Sequence, residues 1–149
     1  MREELTAAVK QAMKDGDKLR VETLRMVQSA LKNKDIEARG VGKTVSPDEV
    51  LSVLQKLIKS RQESVELYRK GGREDLAAKE EAEIAIISGF LPAPMSEAEV
   101  KAAISDMITE TGAASIKDMG KVIAGLKTKF AGRMDFGSAS GLVKAALTG

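Results

Sequence analysis

Residues 89–96 read GFLPAPMS and hold two of the chain's three prolines. Proline has no backbone N–H to give a helix, and it pushes the residue before it out of the helical conformation. No helix can therefore pass through this stretch. Apolar residues recur at helical spacing on both sides of it, so the sequence predicts two helical parts, residues 1–91 and 96–149. The third proline, Pro47, starts a helix. It follows Ser46 as the N-cap, with Glu49 three positions after the cap in the capping-box arrangement.

The N-terminal part predicts four helices. Leu5, Val9, Ala12 and Met13 mark the inward side of the first, which Asp15-Gly16-Asp17 ends. The second runs from about Lys18 to Ala38, with Leu19, Leu24, Val27, Ala30 and Leu31 inward. The third carries Val50, Val53, Leu54, Leu57, Ile58, Val65 and Tyr68 as one stripe up to Gly71-Gly72, and the fourth covers about Glu74 to Ile87. After the prolines, Ser96 and Glu99 form a second capping box before Val100, Ile104, Met107 and Ile108. Ser115 and Asp118 repeat that spacing. Asp135 stands where it can cap a last helix whose apolar side is Leu142, Val143, Ala146 and Leu147. No strand-period pattern appears. The chain has three Phe, one Tyr and no Trp, so Ala, Leu, Ile, Val and Met must fill the interior. The expected fold is all-α: a helical N-terminal unit of about four helices, then a small three-helix C-terminal bundle.

Two absences restrict the chemistry. With no cysteine, disulfides, zinc-thiolate sites and thiol nucleophiles are excluded. With no histidine, histidine-based triads, histidine metal sites and a histidine pH switch are excluded as well. The reading expects no metal, no cofactor and no catalytic residue. The chain holds no apolar run of membrane-spanning length. Its first residues mix charge with apolar groups at helical spacing, unlike a cleaved signal. Together these features lead to the expectation of a cytoplasmic protein.

Charge is concentrated in one place. Residues 117–133 carry Lys117, Lys121, Lys127, Lys129 and Arg133 against Asp118 alone, whereas the whole chain has a net charge of only +2. Projected at about 100° per residue, Met119, Val122, Ile123, Leu126 and Phe130 share a core arc. Lys117, Lys121 and Thr128 fall opposite. Gly120, Ala124 and Thr128 form a small-residue repeat beside the lysines, Gly125 lies on their other side, and Gly132 frees the turn that presents Arg133. A strip with so little side chain lets a phosphate chain come close, with cations around it. Nothing aromatic on this face can stack a base, so backbone contact is all it supports. The competing reading is that the small seam receives another helix and the lysines are merely solvated.

A second constellation lies in the third and fourth helices. Arg61 falls in the middle of an apolar stripe, and Glu80 and Glu83 share the inward arc of Leu76, Ile84 and Ile87. An unpartnered guanidinium there is costly. The two helices are expected to pair antiparallel, with Arg61 meeting Glu80 or Glu83 and the Tyr68 hydroxyl close by. Other candidates fail on inspection. Gly42-Lys43-Thr44 imitates a phosphate-binding loop, but Glu37 stands where its first glycine belongs and a helix precedes it. Glu80, Glu81 and Glu83 do not converge as a hard cation requires.

The segments LRMVQSALKNKDIEARG, KLIKSRQESVELYRKGGREDLAAKEEAEI, FLPAPMSEAEV and DMGKVIAGLKTKFAGRMD together resemble the YqeY family over nearly the whole chain. That family's C-terminal unit is similar to the tail domain of GatB, the B subunit of the glutamine-dependent aspartyl/glutamyl-tRNA amidotransferase. The resemblance implies association with tRNA or other structured RNA, or with a tRNA-modifying or aminoacylating enzyme; no membrane or DNA partner is expected. Its matched positions are Gly120, Lys121, Gly125, Lys127, Lys129, Gly132 and Arg133. It also points to a carbon–nitrogen ligase activity with glutamine as nitrogen donor. This chain has nothing that corresponds to the synthetic or amidase domains, so it is expected to act as a non-catalytic adaptor. The alternatives are a protein-interaction module that never meets RNA, or an accessory part of such a ligase complex. Met134 replaces the family's usual small residue, and Gly137 and Gly141 are expected to weaken the last helix by about 1 kcal/mol each.

Overall fold

The computed structural model describes residues 1–148. It is all-helical, with seven α-helices, one short 3-10 turn and no strand among the described residues. The chain divides into two compact units, Met1–Pro92 and Ala93–Gly149.

The first unit contains α1 (Arg2–Asp15), α2 (Lys18–Gly40), α3 (Pro47–Lys70) and α4 (Glu74–Ser88). Local chemistry sets their ends. Asp17 accepts the Arg20 N–H at 3.1 Å at the start of α2. Ser46 Oγ accepts the Glu49 N–H at 3.2 Å while Glu49 Oε1 accepts the Ser46 N–H at 3.3 Å, which completes the capping box of α3. Leu5, Val9, Leu24, Val27, Leu31, Val50, Leu54 and Ile87 form the buried core. Arg2 clasps Asp35 with two hydrogen bonds of 2.7 and 2.8 Å and so ties α1 to α2. Met13 is not inward as expected but 55 % exposed. It lies in the last turn of α1, where Leu5, Val9 and Ala12 already cover the contact with α2.

The second unit contains α5 (Glu97–Thr111), the 3-10 turn Ile116–Asp118, α6 (Met119–Lys129) and α7 (Phe136–Thr148). Its core is Ala103, Ile104, Met107, Val122, Leu126, Met134, Ala139 and Val143. Met134, the residue that departs from the family pattern, is therefore an interior side chain. The apolar side expected for α7 needs correction. Leu142 and Ala146 are exposed, because Ala139, Val143 and the partly buried Leu147, four residues apart, form a narrower inward stripe. Asp135 accepts the Gly137 N–H at 3.0 Å and the Ser138 hydroxyl at 3.0 Å, holding the first turn of α7.

Candidate functional site

The basic segment begins with a turn built by a carboxylate. Asp118 Oδ2 accepts the Ala114 N–H at 2.9 Å and the Ser115 N–H at 3.4 Å. These backbone donors, with Lys121 adding to them, hold the Asp118 carboxyl below the usual carboxylate range. The 3-10 turn means that Lys117 precedes α6 and does not follow its 100° projection. Lys117 is exposed nonetheless.

Along α6, Val122 and Leu126 are fully buried, with Met119, Ile123 and Phe130 packed around them. Gly120, Ala124 and Thr128 lie on the exposed side. A Cβ placed on Gly120 would meet nothing within 4 Å. The Thr128 hydroxyl donates to the Ala124 carbonyl at 3.0 Å, so it folds back onto its own helix. Lys121 and Lys127 are exposed beside this strip, and among the described residues the only ion pair of Lys121 is a loose one to Asp118 at 3.9 Å. Of the expected contact positions, Gly120, Lys121 and Lys127 thus share an open face with Ala124 and Thr128, and Lys117 stands just before it.

The other positions are placed differently. Gly125 is not part of the open strip. It is half-buried, and a Cβ there would collide with the Met107 thioether of α5. Its missing side chain lets two helices approach. Lys129 reaches Glu110 of α5 at 3.4 Å and stands 6.0 Å from the Phe130 ring centroid, at the limit of a cation–π contact. Gly132 is buried and has φ of 76°, the left-handed turn that glycine adopts without strain. That turn does present Arg133, but not to an open rim. Arg133 is half-buried, its Nε donates to the Ala93 carbonyl at 2.9 Å, and its own carbonyl accepts the Met95 N–H at 3.0 Å. Glu99 lies 3.9 Å from the guanidinium. Arg133 therefore fastens the segment before α5 to the turn after α6. Glu110 and Ala93 are 19 and 40 residues away in sequence, beyond the reach of any local pattern.

The arginine of α3 is enclosed. Arg61 Nε donates to Glu83 Oε2 at 2.9 Å and lies 3.8 Å from Glu80, while Nη1 donates to the Leu57 carbonyl at 3.1 Å. A weak contact to Met26 Sδ at 3.6 Å completes the shell, and Tyr68 is not among its partners. Arg69 binds Glu74 and Glu81 nearer the Gly71-Gly72 turn, as an antiparallel helix pair requires. The acidic run of α4 is thus committed to arginines. Among the described residues no group of three or more His, Cys, Asp or Glu is placed to hold a metal ion.

Fold and surface define a small all-helical protein whose distinctive feature is a basic, side-chain-poor helix face. The chain belongs to the Yqey-like protein family, which it matches over residues 2–147. It is similar to "Altered inheritance of mitochondria protein 41, mitochondrial" of Lachancea thermotolerans, 40% identical over 104 residues, covering 68% of this chain and 54% of that protein. The protein of the same name from Vanderwaltozyma polyspora is 34% identical over 119 residues, covering 74% and 62%. That from Eremothecium gossypii is 33% identical over 99 residues, covering 66% and 53%. The chain spans between about half and three-fifths of the length of these relatives. Their names correct the expectation of a cytoplasmic protein, since each is named as mitochondrial. The expectation rested on charge pattern and hydropathy, which do not distinguish one aqueous compartment from another. No helix among the described residues is long and apolar enough to cross a membrane.

Proposed function

We propose that this chain is a non-catalytic, RNA-associated adaptor whose α6 strip lies against the phosphate backbone of tRNA or another structured RNA. The observation that carries the reading is the open face of Gly120, Ala124 and Thr128, with nothing over the Gly120 Cα and exposed Lys117, Lys121 and Lys127 around it. Phosphate contact needs cations and close approach, and it needs no base-reading side chain. Lys129 stands at the edge of this surface. Gly125, Gly132 and Arg133 support it from within, by letting α5 approach and by fixing the turn after α6. In this reading Ala93–Gly149 is the RNA-facing domain and Met1–Pro92 a helical domain that Arg61, Glu80 and Glu83 stabilise.

A second reading is favoured by one observation. Leu142 and Ala146 of α7, with Ile104 and Ile108 of α5, line a groove of about 420 Å³ that Lys101, Ser105 and Thr109 also border. A protein helix laid there would make the chain an interaction module or an accessory part of an amidotransferase-like complex. Salt separates the two. Charge reversal in Lys121→Glu/Lys127→Glu is expected to weaken tRNA binding and flatten its dependence on salt by roughly 2 in log–log slope. Unchanged tRNA binding by that variant, with partner capture that persists at high salt, favours the second reading.

A further inference from the structure

The longest cationic array of the first unit lies on α2. Lys18, Arg25, Lys32 and Arg39 recur every seven residues, and all four are exposed. Seven residues at about 1.5 Å rise place successive charges about 10 Å apart, in a row about 31 Å long. A seven-residue step advances the helix by nearly two turns, so the row drifts by only about 20° per repeat and stays on one face. That face is opposite the inward stripe of Thr23, Leu24, Val27 and Leu31.

Among the described residues no carboxylate stands within ion-pair distance of Lys18, Arg25, Lys32 or Arg39, although Asp35 acts on Arg39 at longer range. α2 contains three carboxylates: Asp35 is held by Arg2 at 2.7 Å, and Glu37 makes a loose contact with Lys34 at 3.8 Å. The third, Glu22, lies between Lys18 and Arg25. From Arg25 to Arg39 the face carries the uncharged Gln28, Ser29 and Ile36 between the cations. Among the described residues the row makes one side-chain hydrogen bond, a weak one from Arg25 to Met13 Sδ at 3.6 Å. Neighbouring like charges left unpaired at this spacing raise the local potential and favour an extended polyanion over a single ion. A membrane surface fits poorly, because an interfacial helix needs a broad stripe of large exposed apolar side chains, and on this face of α2 Ile36 is exposed and Val21 half-buried among four cations. No aromatic residue is available to stack an unpaired base.

We propose that Arg25, Lys32 and Arg39, with Lys18 at the weaker end, form a second phosphate-contacting surface for double-stranded RNA, on the unit that does not contain α6. This goes beyond the proposed role of α6 and stands on separate residues.

The test measures binding of the full chain to a blunt RNA duplex of about 20 base pairs over a range of salt. Arg25→Glu/Lys32→Glu is expected to bind roughly tenfold more weakly at low salt and to lower the log–log salt slope by roughly 2, each lost phosphate contact contributing about 0.9. Arg25→Gln/Lys32→Gln should lie between the variant and the parent. Lys56→Glu/Lys79→Glu, with the same charge change on exposed positions of α3 and α4, should bind as the parent does. Circular dichroism confirms that each variant is folded. Unchanged affinity of a folded Arg25→Glu/Lys32→Glu overturns the proposal, as does an equal loss in the Lys56→Glu/Lys79→Glu control. Lys121→Glu/Lys127→Glu on the same duplex separates the two surfaces: if it binds normally while the α2 variant fails, the α6 reading falls and this one stands.

Discussion

The α3–α4 hairpin and the outer side of α6 use cations in opposite ways. Arg61 is held by Glu83, Glu80 and the Leu57 carbonyl, and its side chain is 16 % exposed. Among the described residues Lys127 has no ion pair, and Lys121 has one loose contact at 3.9 Å. A charge taken partly out of water must find its counter-charges inside the fold, so Arg61 is committed to structure. A charge left in water keeps its capacity for an external anion. Substitutions in the first region should therefore act on stability, and those in the second on binding.

The largest expected effect is in the hairpin. Arg61→Ala leaves Glu83 and Glu80 without their partner and should cost about 2 kcal/mol, read from the urea midpoint, with RNA affinity unchanged. A parent-like midpoint would contradict the assignment of Arg61 to structure. Next comes Gly125→Val, which drives a branched side chain into Met107 and should cost about 1–2 kcal/mol in a thermal melt. If Gly125 belonged to an open face, this change would be nearly silent.

Asp118→Asn tests the start of α6, with a smaller and pH-dependent loss. Folding holds this carboxyl below its ordinary range, so its contribution is fully present above about pH 4 and fades as pH falls through the lower folded value. Parent and variant melting temperatures should differ at neutral pH and converge in acid. A constant difference across pH would remove the carboxylate from the account. The smallest effect is a gain. Gly120→Ala fills open space and should stabilise α6 by about 0.5 kcal/mol while weakening RNA binding, because the new methyl occupies the strip. Stabilisation with unaltered binding would mean that close approach at Gly120 is not used.

Much of this comparison was legible in the sequence, because it rests on local periodicity. Ser46-Pro47 and Ser96 announced helix starts, the prolines at 92 and 94 marked a break, and the position of Arg61 within an apolar stripe called for an acidic partner. The exposure of Gly120, Ala124 and Thr128 follows from the same spacing. What was not legible depended on which neighbour a face meets. Gly125 is about 140° from Gly120 on the helix, and projection alone could not say that Met107 fills that side. Arg133 appeared as a free rim cation until Ala93, far away in sequence, took its guanidinium. The α2 row is a case of the reverse kind. Its seven-residue spacing is visible in the sequence, but its significance appears only once Asp35 is seen to bind Arg2.

The account's central claim is that the exposed side of α6 is where RNA phosphates lie. Amide chemical shifts of the isotope-labelled full chain, followed as tRNA is added, address it most directly. The α6 signals that move most should be those of Gly120, Lys121, Ala124, Lys127 and Thr128, with Val122, Gly125 and Leu126 moving least. Saturating tRNA that leaves the α6 amides unmoved, while the signals of Ile104, Ile108 and Leu142 shift, would contradict it.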